Sequence, residues 1–255
     1  MTQKETVIRV TDLVKNYGSF QAVKGISFSV MQGEIFGLLG PNGAGKTTTL
    51  EIIETLRSKT AGEVEVLGLN IDRHADELKK RIGVQLQAAG YYPGLKLDEL
   101  LLLFGGLFNV EVDIQALLAR VGLTEKRKAY YKQLSGGQKQ RFSLATTLIN
   151  TPEVIFMDEP TTGLDPQARR NIWNLIKEIR EEGCSIILTT HYMEEAEQLC
   201  DRVAIIDHGK IIACNRPSVL IDDLLQSGFK KEAFIKPANL EDVFLQLTGE
   251  QWRDN

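Results

Sequence analysis

The sequence predicts an α/β fold, and three observations carry that prediction. Between residues 34 and 57 an apolar run, EIFGLLG, passes through GPNGAGKT into KTTTLEIIETLR. A strand, a glycine turn and a helix in that order open a βαβ unit. Strand and helix alternate again beyond residue 150, through EVIFMDEP, a helix after Pro166, SIILTTH and MEEAEQLCDR. Finally, 255 residues at 43% apolar content suffice for one large core, with or without a smaller lobe.

The elements follow in chain order. VIRV at 7, ISFSV at 26 and EVEVLG at 63 alternate as half-buried strands do, and predict an antiparallel β-subdomain. From about 88 to 150 the pattern turns helical, with ALLARVGL and a helix opening at LSGGQ, which predicts an inserted helical subdomain. In the helix after Pro166, Ile172, Leu175, Ile176 and Ile179 share one face. VAIID and KIIAC flank His208-Gly209 as a closing hairpin. The expected division is a main domain over 1–216 and a C-terminal extension over 217–255.

Composition removes several function classes. A net charge of −4 argues against a nucleic-acid surface. The short basic clusters at 79–80 and 126–128 are interleaved with acids and read as solvated faces. Cys184, Cys200 and Cys214 show no metal-type spacing and fit a reducing compartment. The N-terminal stretch has no signal-peptide core, and LLLLFGGLF at 100–108 is far shorter than the ~20 residues of a membrane helix. These features lead to the expectation of a soluble intracellular chain whose membrane partner, if it has one, is a separate protein.

GPNGAGKT matches the phosphate-loop pattern in the context that pattern requires, after a strand and before a helix. Gly40, Pro41, Asn42, Gly43, Ala44, Gly45, Lys46, Thr47 and Thr48 are therefore candidate nucleotide contacts. Gly43 and Gly45 let backbone N–H groups approach phosphate oxygens. The helix start and Lys46 supply positive charge, and Lys46 is expected to face solvent when no ligand is bound. Thr47 offers a hydroxyl to Mg²⁺. VIFMDEP places two acids at a strand end, where a parallel sheet presents its ligand crevice. Asp158 is the candidate magnesium group and Glu159 the candidate base for the attacking water. Together these residues predict a phosphate-loop ATPase core. Ser135, Gly136, Gly137 and Gln138 open a second helix suited to an anion. Tyr17 is a flat surface for an adenine, or a plain surface tyrosine. Gln87 and His191 are polar strand ends, and Asp165-Pro166 reads as a helix cap with proline at the first position.

Tyr17, GPNGAGKT, Gln87, LSGGQ, VIFMDEP, GLDP and His191 occur in an order that resembles the ATP-binding cassette (ABC) proteins over Thr6 to about Cys214. The resemblance implies a transporter's nucleotide-binding subunit, with ATP and Mg²⁺ as cofactors, working as a homodimer or heterodimer around two ATP molecules. It assigns Tyr17 to the adenine, Gln87 to magnesium and to contact with a membrane permease, Glu159 to the base and His191 to the γ-phosphate. Ser135 to Gln138 then serve the ATP held by the other subunit, while Gly163, Leu164 and Asp165 link across the dimer. ILTTHYMEEAEQLCDRVAIIDHGKI and the tail NLEDVFLQLTG are most similar to exporter ATPases, which places the chain at the cytoplasmic face of the membrane through its permease. A soluble cassette ATPase not coupled to transport is the alternative. TLRSKTAGEV departs from the family pattern in a surface connection. The segment Ala88–Phe108, with Tyr91 and Tyr92 expected to be exposed, is the expected permease groove, and the residues from Pro217 onward are expected to be dispensable for ATP binding.

Overall fold

The computed structural model describes residues 5–85 and 90–229, so Gln87 and the tail motif at 239–249 lie outside the described residues. The chain divides into two compact units, residues 1–220 and 221–255. The first holds every strand and every helix of the described residues except the second half of the last helix.

Two sheets organise the first unit. The predicted antiparallel sheet forms from β1 (Thr6–Tyr17), β2 (Phe20–Met31), β4 (Ala61–Val66) and β5 (Leu69–Asn70), in the order β2-β1-β4-β5. The second sheet contains β3 (Ile35–Leu39), β6 (Ile82–Gln85), β7 (Val154–Asp158), β8 (Ser185–Thr190), β9 (Arg202–Asp207) and β10 (Lys210–Asn215). Its order is β10-β9-β3-β8-β7-β6, and only β10 runs antiparallel to its neighbour. The hairpin between β9 and β10 turns at His208 and Gly209, both at positive φ (46° and 78°) as a type I′ turn requires.

Strands β3, β7 and β8 are buried at every residue, which explains their continuous apolar sequence: both faces of the sheet are covered. Successive side chains point to opposite faces. Phe36, Leu38, Val154, Phe156 and Ile187 join the core that includes the antiparallel sheet and α1 (Lys46–Ile53). Phe36 stacks on Phe28 of β2 with centroids 5.2 Å apart. On the other face Ile155, Met157, Ile186 and Leu188 pack with α3 (Leu97–Phe108), α5 (Gly136–Thr147) and α6 (Pro166–Glu181). The predicted face of α6 is the buried one: Ile172, Leu175, Ile176 and Ile179 all lie in this core. Truncating a fully buried phenylalanine such as Phe36 to alanine costs about 3–5 kcal/mol.

The remaining helices are α2 (Ala75–Leu78), α4 (Ile114–Arg120), α7 (Met193–Leu199) and α8 (Pro217–Gln226), the last spanning the division between the units. In sequence, helices α3, α4 and α5 fall between β6 and β7, which pair directly in the sheet. Among the described residues no helix is long and apolar enough to cross a membrane.

One expectation in this region fails. Tyr91 is not exposed; it packs edge-on against Phe104 and Phe142, and its hydroxyl lies 3.0 Å from Thr146 Oγ1. Burial raises its pKa above the usual phenol value. Tyr92 is the exposed one, at 66%. Adjacent residues in an extended segment point to opposite sides, and the aromatic pocket takes only one of them. Leu100 and Leu101 are core, whereas Leu102 is exposed.

Candidate functional site

Three loops converge because β3, β7 and β8 are neighbouring parallel strands that end at the same edge. Residues 40–45 follow β3, Glu159 follows β7 and His191 follows β8.

The loop 40–45 carries the chain into α1 without a side-chain cap. Gly45 holds the N-cap at φ 104°, and a Cβ there would sit 2.7 Å from the Ala22 carbonyl oxygen, so only glycine fits. The first amides of α1, those of Lys46, Thr47 and Thr48, have no carbonyl within the helix to bond and open toward the loop. A cavity of about 460 Å³ lies at this point, lined by Tyr17, Phe20, Asn42, Lys46, Thr47 and Glu159 among others. Tyr17, at 40% exposure, is flanked by Lys15 Nζ and the Arg57 guanidinium, 5.1 and 5.5 Å from its ring centroid.

Lys46 corrects the expectation of a solvent-facing lysine. It is 4% exposed, and its ammonium donates to the carbonyls of Gly40 (2.8 Å) and Pro41 (3.1 Å). The loop folds over its own lysine because its carbonyls are the nearest acceptors. Burial lowers the Lys46 pKa below the usual lysine value, opposed by the charges of Glu159 and Asp158. Glu159 Oε1 is 3.9 Å from Lys46 Nζ and 3.1 Å from His191 Nδ1.

Asp158 ends β7 inside the sheet. Its Oδ1 accepts from Thr47 Oγ1 at 3.1 Å and from Thr189 Oγ1 in a short hydrogen bond. Burial raises its pKa, against the lowering effect of those two hydroxyls, and the charges of Glu159 and Glu51 raise it further. The backbone then turns sharply: Glu159 adopts φ 48°, rare for a side chain with a Cβ. Its N–H bonds both the carbonyl (3.2 Å) and the hydroxyl (3.0 Å) of Thr189, and its Oε2 accepts from Thr162 Oγ1 at 3.0 Å. A carboxylate held by strained backbone and three neighbours is fixed in direction, which a reacting water needs.

A family model described as ABC transporter matches residues 23–162 of the chain, from β2 through the loop after Glu159. The chain belongs to the ABC transporter family. It is an ATP-binding, ATP-hydrolysing cassette. It is 38% identical to Nod factor export ATP-binding protein I of Ralstonia nicotianae, over 97% of this chain and 95% of that protein. It is 43% identical to a linearmycin resistance ATP-binding protein of Bacillus subtilis, over 81% of this chain and 68% of that one. Among solved structures it resembles an ATP-binding subunit of an ABC transporter, with TM-score 0.77 and 26% identity over 95% of this chain and all of that one (100%). It also resembles a dimeric ATP-binding cassette captured after hydrolysis with ADP and phosphate, with TM-score 0.74 and 25% identity over 82% of this chain and 98% of that one.

The cassette's second helix start stands apart from the first. Ser135 caps α5 by accepting from Gln138 N at 3.3 Å, while Gln138 Oε1 accepts from Ser135 N at 3.0 Å. That closed box turns Ser135 and Gln138 toward each other, and Ser135 and Gly136 are exposed. None of the described residues lining the 460 Å³ cavity comes from 134–138. Within the chain this start leans on the next loop instead. Gln140 Nε2 donates to the Pro160 carbonyl at 2.5 Å, and a Cβ on Gly137 would meet Ala168 Cβ at 3.1 Å. Gly163 is exposed at φ 76°, Leu164 packs on the core, and Asp165 caps α6 by accepting from Ala168 N at 2.8 Å. The cap with proline at N1 matches the sequence reading.

Phe20, Thr162 and Thr189 are site neighbours that the sequence reading missed. Thr189 did leave a signal: a hydroxyl in an otherwise apolar buried strand, two residues before His191 and so on its side of the strand.

Proposed function

We propose that the chain is the engine of an exporter: two cassettes close on two ATP molecules and drive a separate membrane permease, at the cytoplasmic face. The observation that supports this most is the unequal state of the two helix starts. The 40–48 loop already lies in a cavity with Lys46 and Glu159, whereas the Ser135 start is exposed and, among the described residues, contributes nothing to that cavity. A head-to-tail pair gives each cavity the missing start, with Gly163, Leu164 and Asp165 beside it to link the subunits.

In this reading Tyr17 stacks on the adenine, and the 40–48 amides and Lys46 hold the phosphates once Lys46 leaves the Gly40 and Pro41 carbonyls. Glu159 accepts a proton from the water whose oxygen attacks the γ-phosphorus, as the bond to the bridging β–γ oxygen breaks. His191, beside Glu159, contacts the γ-phosphate. The amides of Gly136 and Gly137, with the Ser135 hydroxyl, donate to the same oxygens from the opposite side.

Magnesium fits the donor set: a hydroxyl and a desolvated carboxylate, Thr47 and Asp158, already converge, and both are hard oxygen ligands. Gln87 is the third proposed ligand. Bound there, the ion neutralises phosphate charge.

For the permease, an apolar groove of about 350 Å³ runs between β6 and α3, lined by Ile82, Val84, Phe104, Leu107 and Phe108 among others. It overlaps the expected segment at its α3 end, not at Tyr91. The test combines sedimentation with ATPase assays of the isolated chain. ATP-dependent dimers, and specific activity that rises with protein concentration, support the reading. Full activity at concentrations where only monomer sediments overturns it.

A further inference from the structure

The groove that would receive the permease contains one charged group out of place. Glu54, at the C-terminal end of α1, lines it and is only 3% exposed. Among the described residues its Oε2 has no hydrogen-bond partner. The other polar side chains lining the groove are satisfied. Asn150 Nδ2 donates to the carbonyls of Lys80 and Ile82, and the Thr146 and Thr147 hydroxyls donate to those of Ser143 and Leu144. Nearby cations are committed elsewhere. Lys79 of the groove wall is 3.4 Å from Asp76, and Arg57 Nε is 2.5 Å from Glu51. A buried oxygen without a partner is costly, and the residue that carries it lines a cavity large enough to admit a side chain. Burial pushes the Glu54 carboxyl up to about 8, with the charges of Asp158 and Glu51 adding to the effect.

Resting on the reading that the permease seats in this groove, we propose that Glu54 is its specificity determinant and receives a basic side chain, arginine or lysine, from the seated helix. The walls, made by Phe104, Leu107 and Phe108, accept the stem of such a side chain, as long cationic residues bury their methylenes along apolar surface. Opposite such a cation the carboxyl releases its proton to solvent and, as a carboxylate, gains the charge-assisted hydrogen bonds it lacks. A permease helix carrying an acid or an alkyl group at that position leaves Glu54 desolvated and unpaired, so the pairing discriminates by penalty as well as by attraction. Leu107 and Phe108 hold no such information; they supply area to any apolar helix.

The test uses the full chain and the membrane subunit that copurifies with it, reconstituted in lipid nanodiscs, with affinity read by titration. Three arms are compared: wild type, Glu54→Gln and Leu107→Glu, each first checked for an intact melting transition. Single Arg→Gln and Lys→Gln variants across the membrane subunit's cytoplasmic loops are then titrated against wild type and Glu54→Gln. The expected result is at least tenfold weaker binding for Glu54→Gln, together with one membrane-subunit variant whose loss is tenfold against wild type and under twofold against Glu54→Gln. Wild-type affinity for Glu54→Gln overturns the proposal, as does additivity with every basic residue. If Leu107→Glu binds normally, or no membrane protein copurifies, the docking reading fails and the proposal falls with it. Normal binding by Glu54→Gln beside weak binding by Leu107→Glu removes the ion pair and leaves the docking reading standing.

Discussion

Helices α1 and α5 both begin with amides able to receive an anion, yet they are finished in different ways. The start of α1 is built into the core. Its lysine is buried, its glycine turn touches the Ala22 carbonyl, and its threonine meets an aspartate from another strand. The start of α5 is self-contained, with Ser135 and Gln138 satisfying each other at the surface. A site finished inside the chain depends on the fold, whereas a site finished by a second chain depends on concentration. Four measurements test that difference, in falling order of expected effect.

Removing chemistry from the finished site has the largest effect. Glu159→Gln keeps the shape and the hydrogen bond to Thr162 but cannot accept the water's proton, so turnover should fall ~10²–10⁴-fold while ATP still binds. Loss of the carboxylate beside the γ-phosphate should also let ATP-bound dimers accumulate. Single-turnover hydrolysis and sedimentation with ATP check both. A variant turning over like wild type would place the base at another residue.

Next is the cost of embedding α1. Its far end carries Glu54, whose folded pKa is about 8 against an ordinary value of 4.5. The folded state therefore holds a proton that the unfolded chain releases above pH 4.5. Stability should fall as pH rises from about 4.5 to 8 and level off beyond, by on the order of a few kcal/mol. Urea midpoints of nucleotide-free protein should show this slope, and Glu54→Gln should flatten it and be the more stable protein at pH 8. An unchanged slope in the variant would assign the titration to another group, such as Asp158.

The surface start should respond to dilution instead. Ser135→Arg places a long cation on an exposed helix start that touches no part of its own cavity. ATP affinity should stay within about twofold, while ATP-driven dimers disappear and activity drops at least tenfold, to the monomer level. Weakened ATP binding by the monomeric variant would mean that α5 serves its own chain's nucleotide.

How much of this was legible in the sequence depends on how local each feature is. Strand β3, the glycine turn and the helix that follows were legible, because those signals sit within a few residues; the strand order around β3 was not, because it depends on pairings between distant segments. The convergence of Asp158, Glu159 and His191 was readable as strand ends, since parallel neighbours share an edge. The burial of Lys46 was not, because it depends on carbonyls that a pattern of residue types does not position. Nor was the choice between Tyr91 and Tyr92, which Phe104 and Phe142 make from distant places in the chain. The burial of Glu54 was not legible either, because only the approach of α3 makes it an acid in an apolar groove.

The smallest effect comes from the cap that opens α5. Ser135→Ala removes the oxygen that accepts from Gln138 N and leaves the reciprocal bond from Ser135 N to Gln138 intact. Losing half of a capping box at a solvent-exposed helix start costs about 1 kcal/mol. The melting temperature of the nucleotide-free monomer should fall by a few degrees at most, since 1 kcal/mol shifts a domain of this size by roughly 2–4 °C. On the proposed in-trans reading, the same substitution takes one donor from the partner's phosphate and leaves the Gly136 and Gly137 amides in place. ATPase activity at high protein concentration should therefore drop by less than in Ser135→Arg, because the helix-start field survives. Equal losses in the two variants would show that the hydroxyl, and not the helix start, is what the second chain contributes.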